Sequence, residues 1–279
     1  LKVIFHEKPY AGINGSGKHC NWSLFTNNGI NVLSPGKTPQ DNLQFLSFIA
    51  CTLKAVHQHH FLIMSAVATL SNSYRLGGTE APPAVLSAFM GSTLADLLDV
   101  IDKGGPGRGR SSERTRMDVV SMVPEIFPDN TDRNRTSPFA FTGDRFEFRA
   151  IGSSANAGSA MLFLNTAVAQ QLKSFKVLVD KEIEKGEKLE DALMKIIRKF
   201  IRESRDIRFE GNGYSDEWHK EAAERGLRGI TDVPASYDAL LEEQSIALME
   251  EMRVMTRREL EARYEVRNQM YVKKLQIEA

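Results

Sequence analysis

The sequence has no charge of either sign in excess: 36 lysines and arginines stand against 36 aspartates and glutamates. That argues against a dedicated nucleic-acid binder, which needs a clustered basic excess to neutralise phosphates. It leaves room for a small anion, which two or three well-placed cations can hold. Cysteine is scarce. Cys20 and Cys51 are the two in 279 residues, too few for a disulfide framework. No apolar run approaches the ~20 residues that span a bilayer, and the most apolar stretch, 61–70, is too short. No secretory pattern opens the chain, so the expected compartment is the cytoplasm and the sequons at Asn21 and Asn134 carry no meaning there. An initiator Met is also lacking, and no capped tail closes the sequence, so a piece of a longer protein is expected.

What is present divides unevenly. The first ~160 residues hold nearly all the Gly, Pro and unusual polar patterns, and the rest reads as charge-rich helix. Residues 1–33 read as strand and loop. Apolar residues at three- and four-residue steps predict a helix over 41–64, with Asp41 as N-cap. Residues 71–83 read as loop, 84–101 as strand or helix, and 138–150 as strand. Gly104–Arg116 reads as a mobile surface loop despite its Gly/Arg repeat. One or two long helices are expected over 160–205, then a break at 210–214, then helices over 236–252 and 257–274.

Gly12-Ile13-Asn14-Gly15-Ser16-Gly17-Lys18-His19 nearly spells a P-loop, but His19 replaces the hydroxyl residue that binds Mg²⁺. The segment after it alternates rather than running into a helix. His19, Asn21 and Ser23 fall on one face of an extended strand; Cys20, Trp22 and Leu24 fall on the other. That polar face is either a metal ligand beside two hydrogen-bonding groups or the solvated side of an edge strand. In the strand over Arg145–Arg149, Glu147 and Arg149 share a face opposite Phe146 and Phe148. This pair is either a metal ligand beside a carboxylate clamp or an ordinary salt bridge. His57 and His60 could share a helix face, but no acidic residue or cysteine lies at matching spacing.

Three ordered blocks carry a family resemblance. Lys8-Pro9 followed by Asn14-Gly15-Ser16-Gly17-Lys18-His19-Cys20-Asn21-Trp22-Ser23 resembles the ATP-site signature of glutamine synthetases. Asn72-Ser73-Tyr74-Arg75-Leu76-Gly77-Gly78-Thr79-Glu80-Ala81-Pro82-Pro83 resembles the flap segment of that family. Asn130-Thr131-Asp132-Arg133-Asn134-Arg135-Thr136-Ser137-Pro138-Phe139, running into Phe146-Glu147-Phe148-Arg149, resembles its phosphate-arginine and metal-glutamate segments. The last of these blocks, with Gly211-Asn212-Gly213-Tyr214-Ser215-Asp216-Glu217-Trp218, points to the type III branch.

The resemblance implies an α+β fold: the later part of an antiparallel-sheet catalytic domain over 1–160, then a helical extension over 161–279. It implies ATP-dependent ligation of ammonia to L-glutamate through a γ-glutamyl phosphate, with Mg²⁺ or Mn²⁺, in a homo-oligomeric ring of one or two hexamers. His19 would be a ligand of the metal beside the ATP phosphates, and Glu147 a ligand of the other metal. Asn21 and Ser23 would contact ATP, and Arg135 would neutralise phosphate charge. Asn14, Gly15, Arg75 and Arg149 would bind glutamate. Glu80 would take the ammonium proton, although without the resemblance it reads by default as an exposed loop carboxylate. Three positions depart from the pattern. Ala140 stands where many relatives carry a second arginine, leaving Arg133 as the substitute; Cys20 stands for Asn; and Ser73-Tyr74 replaces Asp-His.

The family uses further glutamates upstream of the Lys8-Pro9 block, so this stretch alone is expected to be inactive and poorly soluble. Two rival readings remain. One is another carboxylate–amine ligase or a phosphagen-kinase-like enzyme. The other is a non-catalytic nucleotide-binding relative.

Overall fold

The computed structural model describes residues 17–77, 81–104 and 137–278. The chain forms β1 (Gly17–Trp22), α1 (Leu43–Ser65), α2 (Leu70–Arg75), β2 (Ala88–Phe89), α3 (Ser92–Lys103), β3 (Phe139–Phe141) and β4 (Phe146–Gly152). The helical remainder comprises α4 (Gly158–Glu184), α5 (Leu189–Glu203), α6 (Asp216–Glu224), the single turn α7 (Val233–Ser236), α8 (Glu243–Glu251) and α9 (Arg257–Glu278). The fold is α+β, as the sequence implied.

The strands form one sheet in the order β1-β4-β3-β2. β4 pairs antiparallel with both β1 and β3, whereas the two-residue β2 runs parallel to β3. Alternation sorts β4 by face. Phe146 and Phe148 are fully buried, and the Phe146 ring stacks on Phe139 with centroids 4.4 Å apart. Each such buried ring contributes roughly 1.5–3 kcal/mol by area. The alternate residues Glu147 and Arg149 are thereby held on the other face.

α1 is the central helix, buried along most of its length and packed against α4 and α5. Its N-cap is Asn42, whose Oδ1 accepts the Phe45 amide at 3.0 Å, not Asp41. Asp41 instead closes the short 3₁₀ turn Pro39–Asp41 that precedes the helix. The expected loop over 71–83 begins with helix α2. Thr69 caps it by accepting from the Asn72 amide, and its buried Asn72 and Arg75 bond main-chain carbonyls of other elements. The ambiguous stretch 84–101 holds both β2 and most of α3, and Gly104 ends α3 in the left-handed conformation (φ 88°). The single helix expected over 236–252 is divided, because Glu242 adopts extended backbone (ψ 136°) and starts α8. Residues 105–116, expected to form a mobile loop, lie outside the described residues.

The hydrophobic core is continuous from the sheet through α1, α4 and α5. Trp22 on β1 donates to Asn165 Oδ1 on α4 at 2.7 Å. At the far end, Arg267 on α9 donates to the Ser65 carbonyl at the C-terminus of α1 (2.7 Å), where a cation also complements the helix dipole. Lys274 reaches Ser71 on α2 at 3.0 Å. Among the described residues no helix is long and apolar enough to cross a membrane.

Candidate active site

β1 is a strand over Gly17–Trp22 and does not run into a helix, so this segment lacks the P-loop's local architecture. Trp22 is buried, Cys20 is partly buried against the core, and His19 and Asn21 are exposed, as the alternation required. Opposite His19 the pairing slips: Lys18 aligns with Ile151 and Cys20 with Phe148, so one residue of β1 faces Arg149 and Ala150 on β4. Such an irregularity re-aims side chains at a strand edge. Here it accompanies the contact of His19 with Glu147.

His19 Nδ1 lies 2.7 Å from Glu147 Oε1. The other carboxylate oxygen accepts from Arg149 Nε (2.9 Å) and Nη2 (2.8 Å). Burial pushes the Glu147 carboxyl up, but the hydrogen bonds and charges of Arg149 and His19 more than offset this, and its pKa is lowered. The His19 side chain keeps 54% of its exposure and Glu147 19%, whereas Arg149 keeps 5%. The donor pair therefore opens to solvent on a buried guanidinium floor. Asn21 sits directly across from Glu147 in the ladder. Ser23 lies two residues further along, just past the end of β1, its Oγ 2.8 Å from Asn31 Oδ1 and 3.0 Å from the Asp144 carbonyl. The Asn31 amide donates to that same carbonyl at 2.7 Å.

Arg75 lies beneath this arrangement, 3% exposed. It donates to the Arg149 carbonyl (3.0 Å) and to Asn72 Oδ1 (2.9 Å). The structure thus brings together five of the residues singled out in the sequence: His19, Asn21, Arg75, Glu147 and Arg149. Ser23 adjoins them. Asn14, Gly15, Glu80 and Arg135, together with Arg133, lie outside the described residues. Sequence reasoning gave no role of their own to Asn31, or to Gly17 and Asn72, which it met only as members of the family blocks. Asn72 stands three residues before Arg75, a spacing that places both on one helix face once the segment is known to be helical.

An imidazole nitrogen and a carboxylate oxygen that converge at an exposed edge are a suitable donor set for Mg²⁺ or Mn²⁺ when other oxygens complete the shell. Among the described residues no group of three or more His, Cys, Asp or Glu side chains gathers into a metal site, so His19 and Glu147 are a partial set. A cavity of about 340 Å³ opens elsewhere, lined by Asp99, Arg205, Arg208, Glu210 and Arg225 among others. Its charged groups largely engage one another or the main chain. Arg208 pairs with Asp99 at 2.9 Å, and Glu210 accepts the Met90 and Gly91 amides. Among the described residues, an imidazole, a carboxylate and a guanidinium converge at the β1–β4 edge.

Comparison with known proteins bears on the family of the chain. The family model of the glutamine synthetase catalytic domain matches residues 1–88, and that of the glutamine synthetase C-terminal domain matches residues 192–279. The chain belongs to the glutamine synthetase family. A glutamine synthetase of Bacteroides fragilis (strain YCH46) is 48% identical over 279 residues, covering 99% of this chain. A type-3 glutamine synthetase of Dictyostelium discoideum is 39% identical across the whole chain, and a glutamine synthetase of Butyrivibrio fibrisolvens 37% identical over 99% of it. The chain spans only 38–39% of the length of these relatives.

Proposed function

We propose that this chain is part of an enzyme that ligates ammonia to L-glutamate at the expense of ATP, through a γ-glutamyl phosphate. The observation that carries the reading is the set His19–Glu147–Arg149 on adjacent strands, inside a chain of this family. Phosphoryl transfer is mainly positioning and charge neutralisation, and these residues supply donors for both. A divalent ion held by His19 and Glu147 would neutralise phosphate charge when bound. Their contact at 2.7 Å favours both on one ion, rather than one on each of two. Arg149 holds Glu147 ionised and oriented, and its fork is suited to a substrate carboxylate. Arg75 serves the glutamate end with Asn14 and Gly15. Asn21 and Ser23 face ATP, with Arg135 on the phosphates. Glu80 removes the ammonium proton.

The division at residue 160, the cytoplasmic setting and the ring-shaped homo-oligomer belong to the same reading. So does the inactivity of this stretch alone. The test uses the full-length protein. Metal- and ATP-dependent γ-glutamyl hydroxamate formation from glutamate and hydroxylamine is expected, and it should fall in Glu80→Ala. ATP binding and assembly without hydroxamate formation would instead indicate the non-catalytic relative. A stable phosphorylated guanidine without any ammonia requirement would indicate the kinase.

A further inference from the structure

We propose that Asn72 is a positioning residue: it fixes the Arg75 guanidinium and the Arg149–Ala150 stretch of β4 in a single arrangement beneath the Glu147 carboxylate. The inference rests on the reading of Arg149 and Glu147 as site residues. Asn72 is 1% exposed, and its whole amide is engaged. Nδ2 donates to the Val67 carbonyl at 2.8 Å and to the Ala150 carbonyl at 2.9 Å. Oδ1 accepts from Arg75 Nη1 at 2.9 Å. Arg75 Nη2 in turn donates to the Arg149 carbonyl at 3.0 Å. One amide therefore joins the connection after α1, helix α2 and Ala150 of β4, and through Arg75 it reaches Arg149 as well.

The chemistry requires an amide. Two carbonyl oxygens need donors, and the guanidinium needs an acceptor. Asn supplies two N–H groups and one oxygen. Asp at this position would keep the acceptor but face two carbonyls with a carboxylate. Ala would leave three buried groups without this partner, one of them charged. Arg75 has little freedom to compensate, because β1 runs flush against it: a Cβ built on Gly17 would overlap its guanidinium. The support then passes upward. The Arg149 main chain is held from below by Arg75, its side chain holds Glu147 Oε2, and Glu147 Oε1 meets His19. A misplacement of about 1 Å at such a site can cost about 10²-fold in rate.

The test compares wild-type and Asn72→Ala in the full-length protein, with Asn72→Ser replacing the alanine variant if that one does not fold. KM for glutamate is expected to rise about tenfold or more, as for other supporting partners, while KM for ATP stays within about twofold. Amide exchange in the peptide covering 147–151 should accelerate about tenfold, with the α4 peptide unchanged. Unchanged KM values with uniformly faster exchange would mark a merely structural residue and overturn the proposal. Should the wild-type protein not use glutamate, the reading of the function fails on its own, and local exchange at 147–151 alone decides the positioning role.

Discussion

His19 and Glu147 meet across the β1–β4 ladder with Nδ1 2.7 Å from Oε1. If both serve one ion, their removal should not multiply. In the full-length protein, His19→Ala and Glu147→Gln are each expected to weaken Mn²⁺ binding by at least about 10–100-fold, the range lost with supporting groups of a metal site. The double variant should be little worse than either single one, the mark of residues acting as a unit. Calorimetric Mn²⁺ titration of the four proteins checks this. Fully multiplicative losses would place the two residues on separate ions.

Arg149 sets the ionisation of Glu147. Burial alone would raise the carboxyl's pKa; Arg149, with His19, brings it below its ordinary value. A carboxylate that must be ionised loses function as pH falls through its pKa. Arg149→Met removes the larger opposing influence, so the acid limb of kcat/KM should move to higher pH. The stabilising contribution has the same sense: it is present above the unfolded carboxyl's pKa and lost as pH falls through the depressed folded one. A pH–rate profile of the variant against wild type tests it, and an unmoved acid limb would contradict the assignment.

Much of this site was legible because period-two alternation is a strong constraint. Once Phe146 and Phe148 are assigned to the core, Glu147 and Arg149 must share the opposite face. Alternation likewise separated His19 and Asn21 from Cys20 and Trp22. What alternation does not convey is the pairing of strands more than a hundred residues apart, and that pairing brings His19 to Glu147. Helix α2 was illegible for a different reason. Its residues Leu70, Ser71, Asn72 and Arg75 are buried, yet most are polar, and the burial of Asn72 and Arg75 is made tolerable by main-chain carbonyls from other elements. No local pattern in Ser71-Asn72-Ser73-Tyr74 reports those distant partners.

His60 joins α1 to the helical half as a neutral ring. Its Nδ1 donates to the His57 carbonyl at 2.8 Å, and its Nε2 accepts the Arg228 amide at 3.0 Å. Burial lowers its pKa, the His57 carbonyl and Glu242 oppose that, and His57 and Arg228 reinforce it. Because the folded pKa lies below the unfolded value, the unfolded chain takes up the proton first as pH falls. Stability should therefore decline from about pH 6.5 downward until the folded ring also protonates. His59, pushed by burial to about 4, acts in the same direction. In His60→Gln the slope of unfolding free energy against pH should be shallower over this window. Urea midpoints at several pH values measure it, and an unchanged slope would show that His60 is not part of the acid response.

Gly17 is a glycine because of Arg75. Its backbone is that of an ordinary strand residue, and it is absent from the glycines with positive φ, so alanine meets no conformational strain there. The obstacle is steric, since the new Cβ would overlap the Arg75 guanidinium. A guanidinium can yield on the surface. Here it is 3% exposed and bonded to Asn72 and to the Arg149 carbonyl, so moving it breaks both contacts. Gly17→Ala is therefore expected to destabilise the full-length protein by about 1–3 kcal/mol, the range for overpacking, and to raise KM for glutamate. The control is Arg75→Ala. Once the guanidinium is gone, adding Gly17→Ala should cost little more, so the pair should show a coupling of about 0.5–3 kcal/mol in a double-mutant cycle. Denaturation midpoints of the four proteins supply that cycle. Additive losses would mean that Gly17 is required for some reason other than the arginine it lies against.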